Sequence, residues 1–288
     1  MGFCLFTDTN CDMPASFFKE NRVGMVTMLY GIGTEECEDD GGETNDVPGF
    51  YRRIRAGETS VTWQATPERY EACFRPVLER GEDILYIAFS SGLTKSYDNA
   101  VFCAQELRRE FPERSLHIVD SMGASAGQAL LVYHAILLRD AGKSAEEIAA
   151  WCTEHRQNIG MWFTVNDLQF LKRGGRVSAT SAFLGSVMDV KPVLHVDEAG
   201  RLVPIEKVRG RKRALKALVD RMEASAIDPG NQTVFISHGD CEDEAREVGR
   251  MIEQRFGTKD IRYSYIGPVI GTHSGPGTVA LFFYAKER

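Results

Sequence analysis

Along the first half of the chain, short β-branched and apolar runs alternate with longer segments whose apolar residues recur at helical spacing. Phe3 to Thr7, Val23 to Tyr30, Asp83 to Ser90 and Leu116 to Val119 read as strands. Pro67 to Arg80, Leu93 to Phe111 and Ala124 to Asp140 read as helices, with Pro67 in a first turn, where a missing amide costs nothing. Strands separated by helices of this length imply βαβ crossovers and a parallel sheet. Gly142 ends one helix, and Ser144 with Glu147 forms a capping box for the next.

After Gln157 the pattern changes. Strand-like Gly160 to Val165 leads into a short helix from Asn166 to Leu171, the turn Lys172-Arg173-Gly174-Gly175-Arg176 and a small-residue helix near Thr180 to Val187. Val190 to Val196 and Leu202 to Val208 read as a hairpin closed at Asp197 to Gly200. Helix Arg211 to Ala224, strand Thr233 to Ser237, helix Glu242 to Phe256, strand Ile261 to Ile266 and a final strand from Thr278 to Tyr284 complete the chain. The expected fold is α/β with two α/β domains: residues 1–157 around a parallel sheet and residues 158–288 around a mixed sheet. A ligand is expected in the crevice between them.

Composition narrows the function. A chain of 288 residues with 43% apolar residues buries a large core. Its net charge of −7 lacks the clustered positive field that nucleic acid requires, and the basic run Lys207 to Arg213 is too short to change that. The longest apolar stretch, Ala129 to Leu138, falls well under the roughly 18 residues that span a bilayer. No basic segment precedes Phe3 to Phe6, so the expectation is a cytoplasmic protein without stable membrane insertion. The seven cysteines form no C-x-x-C pair and the six histidines show no ligand spacing, so no metal site or disulfide is expected. Gly142-Lys143-Ser144 imitates the end of a phosphate-binding loop, but Leu137 stands where the leading glycine is required, which leaves a helix boundary.

Three segments carry candidate chemistry. Ile266 to Thr278 places His273 among four glycines and two prolines, a loop of enforced shape that includes Gly271 and Thr272. Ser90-Ser91-Gly92 follows an apolar strand and precedes a helix, where free amides and the helix dipole favour an anion, or where Ser91 simply caps the helix. Thr62 and Trp63 stand before the Pro67 helix without a local structural explanation, whereas Thr66 reads as its N-cap. Ser91 with His273 also suggests a nucleophile and base, as in a serine hydrolase or acyltransferase. No G-x-S-x-G elbow accompanies them, and no orienting acid stands out among the many carboxylates.

Taken together, these segments resemble the DegV family, the fatty-acid-binding subunits of bacterial fatty acid kinase. The resemblance spans nearly the whole chain. It rests on Thr7-Asp8-Thr9-Asn10-Cys11-Asp12-Met13-Pro14, Thr62-Trp63-Gln64-Ala65-Thr66-Pro67, Ser90-Ser91-Gly92-Leu93-Thr94-Lys95-Ser96-Tyr97, Val119-Asp120-Ser121, Leu171-Lys172-Arg173-Gly174-Gly175-Arg176 and the Gly271 to Gly277 segment. It implies a long-chain fatty acid as ligand and no other cofactor, its carboxylate held at Thr62, Ser91 and His273 beside Trp63, Gly92, Gly271 and Thr272. It further implies that catalysis belongs to a partner kinase, which turns the bound acid into an acyl phosphate and docks near Arg173 and Arg209. The chain departs from the family pattern at Trp63, Ala65 and Lys95-Ser96, where serine, proline and Gly-Thr are usual. Trp63 leaves another apolar acid, retinoid-like or polyprenyl, as an alternative ligand.

Overall fold

The computed structural model describes residues 2–166, 168–177 and 189–288; the small-residue helix expected near Thr180 to Val187 lies outside them. The chain begins with β1 (Phe3–Asp8), α1 (Ala15–Glu20), β2 (Val23–Val26), β3 (Met28–Ile32), β4 (Glu35–Asp39), α2 (Val47–Arg55) and β5 (Ser60–Trp63). It continues through α3 (Pro67–Glu79), β6 (Asp83–Ala88), α4 (Ser96–Glu110), β7 (Leu116–Asp120), α5 (Ala126–Asp140) and α6 (Ala145–His155). Four strands form a wholly parallel sheet in the order β2-β1-β6-β7. The second half contains β8 (Ile159–Thr164), α7 (Gln169–Arg173), β9 (Val190–Val196), β10 (Leu202–Arg209), α8 (Arg211–Ser225), β11 (Thr233–His238), α9 (Glu242–Phe256), β12 (Asp260–Tyr265), α10 (Pro268–Ser274) and β13 (Val279–Tyr284). Its sheet is mixed, ordered β10-β9-β8-β13-β11-β12, with β11 and β12 parallel and the other pairs antiparallel.

Val23 to Tyr30, read from the sequence as one strand, is two. Val26 pairs with Asp8, where β1 ends in a 3₁₀ turn, so the chain beyond it has no parallel partner. The Met28 amide donates instead to Thr9 Oγ1 (3.1 Å), and β3 joins β4 and β5 in a separate antiparallel sheet. That small sheet escapes hydrophobic patterning because β4 is Glu-Glu-Cys-Glu-Asp. Helix α2 left a usable signal: Asp46 accepts from the Gly49 amide at 2.8 Å, proline occupies the first turn, and Phe50, Tyr51 and Ile54 face inward.

Helix α5 joins the two large sheets. Ala129, Leu130, Leu131 and Val132 are all buried, as expected of a helix that is apolar on every side. One core runs from Leu5, Leu85 and Ile87 of the parallel sheet through α5 to Met161, Phe235 and Phe282 of the mixed sheet. The C-terminal edge of the parallel sheet thereby faces the mixed sheet, and the space between them contains the candidate site.

Candidate binding site

A cavity of about 630 Å³ opens between the two sheets, within the size range of small-molecule sites. Phe163, Val196, Leu202, Ala280 and Phe282 of the mixed sheet form an apolar wall, and Phe89, Asn10 and Ser125 project from the ends of parallel strands. Thr62 and Trp63 contribute from β5 and Gln64 from just beyond it, and Trp63, Gln64 and Lys95 mark the solvent-facing rim by their exposure.

The segment expected to be a glycine-rich loop is instead helix α10, with His273 in its last turn. Pro268 in the first turn and Gly275 (φ 77°) just past the end are helix boundaries, which the density of glycine obscured. Ile266, Val269, Ile270, His273 and Ser274 form the cavity face of this segment. Gly271 and Thr272, expected beside the pocket, do not line it. A Cβ on Gly271 would lie 2.6 Å from the Tyr51 hydroxyl, and Thr272 Oγ1 bonds Ser60 Oγ at 2.6 Å.

Two buried carboxylates stand at the start of α10. Asp12 accepts from the Gly267 amide (2.8 Å), and Asp39 accepts from the Gly41 amide (3.2 Å) beside it. Burial raises both above the ordinary carboxylate range, Asp39 to about 7. A folded-state pKa above the unfolded one means that the folded protein holds the extra proton, so this contribution to stability is full below about pH 4 and fades as pH rises through 7. Asp39→Asn should remove that slope: its melting temperature relative to the parent should rise between pH 5 and pH 8. A constant difference between the two proteins across that range would show that Asp39 does not titrate there.

His273 and Thr62 form a couple. Strand β5 lies against α10, and Thr62 Oγ1 stands 2.8 Å from His273 Nε2. Burial, followed by the charges of Arg176 and Arg173, pushes the imidazole pKa down to about 4, so it is neutral at pH 7. Nδ1 is buried, has no hydrogen-bond partner among the described residues, and sits against Gly174, where a Cβ would come within 2.2 Å. The two glycines of the Arg173-Gly174-Gly175-Arg176 turn therefore serve different ends. Gly175 (φ 68°) makes the turn, and Gly174 leaves room for the imidazole. With its proton on Nε2, neutral His273 donates to Thr62 Oγ1 and leaves the threonine hydrogen free for an anion in the cavity. A weak base bonded to Thr62, with no carboxylate on Nδ1 among the described residues, lacks the arrangement by which a histidine activates serine.

Ser91 lies on the same cavity wall, but its surroundings differ from the expected anion nest. Helix α4 begins only at Ser96, and Ser91 is not its cap. The Ser90 amide donates to Gly123, the Ser91 amide to Asp120 Oδ1 (3.2 Å), the Gly92 amide to Ser90 Oγ, and the Leu93 and Thr94 amides to the Ser90 carbonyl. The turn satisfies its own amides, so Ser91 offers its side-chain hydroxyl and no free backbone donor. Ser90 Oγ also donates to the Gly200 carbonyl (2.8 Å), fixing the turn against the β9–β10 hairpin. Gly92 lines the cavity as expected and fits there because it has no side chain: a Cβ would approach Ala199 O to 2.4 Å.

Comparison with known proteins now adds to this geometry. The family model described as an uncharacterised protein of the DegV family matches residues 3–286. A DegV domain-containing protein of Clostridium perfringens is 38% identical over 286 residues, covering 99% of this chain and 98% of the relative. The chain belongs to the DegV family. Among solved structures, a DegV family protein of Thermus thermophilus described by its fatty acid binding superposes with a TM-score of 0.87 at 27% identity, covering 99% of this chain and 100% of that one. DegV of Bacillus subtilis, a fatty acid binding protein, gives 0.85 at 26% identity over 99% and 100% of the two chains.

Against the DegV pattern, the unusual Trp63 spreads over Gly31 of the neighbouring strand, where a Cβ would meet its ring at 2.8 Å, and remains 44% exposed at the rim. Lys95 also lines the rim, but it is exposed and paired with Asp98 at 3.1 Å. Arg173 stacks over Phe170 in α7, and Arg209 ends β10; neither lines the cavity. Half-buried Arg176 does, a role the sequence reading missed because a basic residue in a Gly-Gly turn ordinarily faces water. Asn10, Ser125 and Ser274 were also missed. Asn10 lay within a family motif, but nothing local showed which of its residues would face a ligand. Among the described residues no cluster of three metal-ligating side chains occurs, and no helix is long and apolar enough to cross a membrane.

Proposed function

We propose that this protein binds a long-chain fatty acid in the cavity, with the carboxylate at the rim and the tail against the mixed-sheet wall. The observation that carries this reading is the neutral His273–Thr62 couple at the mouth of a largely apolar space, with Ser91 on the same wall and Arg176 nearby. Thr62 and Ser91 donate to the carboxylate, and His273 orients Thr62. Burying about fifteen methylenes at roughly 0.8 kcal/mol each gives a gross ceiling near 12 kcal/mol, against about 1.5 to 3 for each charge-assisted hydrogen bond. The tail supplies affinity; the polar trio sets orientation. The fatty-acid binding named for the Thermus and Bacillus relatives supports the choice of ligand.

In this reading the ligand lies between two domains that divide near residue 157, in a cytoplasmic protein that is itself no catalyst. A partner kinase phosphorylates the presented carboxylate, and Arg173 and Arg209, outside the cavity, contribute to docking through charge complementarity. The test combines native mass spectrometry of the purified protein with a coupled assay using the cognate kinase. An acyl chain should co-purify or be taken up on addition, and Arg209→Ala should keep that binding while lowering acyl phosphate formation several-fold. A protein that carries and binds no fatty acid would overturn the whole reading; equal loss of binding and phosphorylation in Arg209→Ala would overturn the docking role.

A further inference from the structure

The two hydroxyls proposed to hold the carboxylate stand on elements that no strand pairing joins. Thr62 belongs to β5 of the small antiparallel sheet, and Ser91 to the turn after β6 of the parallel sheet. One carboxylate accepts from both only while their separation is held to about half an ångström, so the two segments need a tie between them.

That tie runs through Ala65. Three residues beyond Thr62, where β5 has ended and the chain crosses to α3, Ala65 is only 3% exposed, so its backbone polar groups need partners within the protein. Its amide donates to Ser96 Oγ (3.1 Å), and its carbonyl accepts from Asn99 Nδ2 (2.8 Å). Both partners lie in the first turn of α4, just after the Ser91 turn. Ser96 is itself buried and fixed: Thr94 Oγ1 lies 3.0 Å from its hydroxyl and accepts from its amide at 3.2 Å. Ala65 and Ser96, both departures from the family pattern, thus meet as a donor and acceptor pair that a proline at position 65 could not form.

Building on the fatty-acid reading, we propose that Ser96 and Asn99 are positioning residues. They clamp Ala65, fix the spacing of Thr62 and Ser91, and thereby set the preference of the cavity for a carboxylate over a neutral head group on the same chain. A carboxylate gains from two donors at once, whereas the single oxygen of an alcohol gains little from their spacing.

Displacement of a fluorescent fatty acid measures the affinities of stearate and stearyl alcohol for the parent, Ser96→Ala, Asn99→Ala and the double variant, beside thermal melts. The parent should bind stearate about ten-fold or more tightly than the alcohol, because charge-assisted hydrogen bonds are the stronger ones. In the double variant that preference should fall by about ten-fold, through weaker stearate binding at nearly unchanged alcohol binding. Asn99 is half-buried and alanine suits a helix, so Asn99→Ala alone should show a smaller loss of preference even if the double variant does not fold. Equal weakening of both ligands, or an undiminished preference, would overturn the positioning role and leave the fatty-acid reading intact. A parent that binds the alcohol as tightly as stearate would overturn the head-group assignment beneath that role, and binding of neither would overturn the whole reading.

Discussion

Replacing Thr62 by Val and Ser91 by Ala together should weaken fatty-acid binding by about a hundred-fold or more, with little loss of fold. Each hydroxyl contributes one charge-assisted hydrogen bond to a carboxylate, worth about 1.5 to 3 kcal/mol, and every 1.4 kcal/mol is a factor of ten in affinity. Thr62→Val preserves shape on β5 but also strips His273 Nε2 of its hydrogen-bond partner, leaving neither imidazole nitrogen a partner among the described residues. Its effect should therefore exceed that of Ser91→Ala, whose backbone remains held through Asp120 and Ser90. Titration of a fluorescent fatty acid, displaced by stearate, reads the affinities, and a thermal melt separates binding loss from unfolding. Affinity within a factor of three of the parent would remove both hydroxyls from the head-group site.

The second large effect is expected at Gly92. Its backbone is not in the left-handed region, so alanine suits it conformationally, yet the new Cβ would lie 2.4 Å from Ala199 O and 2.9 Å from Gly200 O. Both are backbone atoms of the turn between β9 and β10, and no rotamer change relieves the clash. Gly92→Ala should cost roughly 1 to 3 kcal/mol by overpacking, pushing the β9–β10 turn away from Ser90. Because Ser91 is the adjacent residue, fatty-acid affinity should fall as well. Calorimetric unfolding and ligand titration of the same sample test this; an unchanged melting temperature with full affinity would mean that the contact yields easily.

Much of the fold was legible before any coordinates. Short β-branched and apolar runs predicted the parallel strands that begin at Phe3, Asp83 and Leu116, and helical spacing predicted the helices between them. The Ser144–Glu147 capping box is present as read. The misreadings have identifiable causes. Acidic β4 carries no apolar alternation, since only pairing with β3 makes it a strand. Val23 to Tyr30 is uniformly strand-like, so its break at Thr27 depends on where β1 ends. At the site, the residue types of Thr62, Ser91 and His273 were visible as anomalies, whereas the shape of α10 and the filled amides around Ser91 were not.

The sequence by itself determined most of the segments that become strands and helices, the absence of local phosphate-loop and metal-ligand patterns, and three polar candidates, of which Thr62 had no local explanation and Ser91 could equally be read as a helix cap. Those are properties of spacing and composition, carried within a few residues of one another. Only the tertiary structure decided that Thr62 meets His273 across 211 positions, that Gly174 closes over the imidazole, and that Ser91 offers a hydroxyl and no amide. These depend on two sheets enclosing one cavity, where burial makes His273 neutral, and burial is a property of the packed chain.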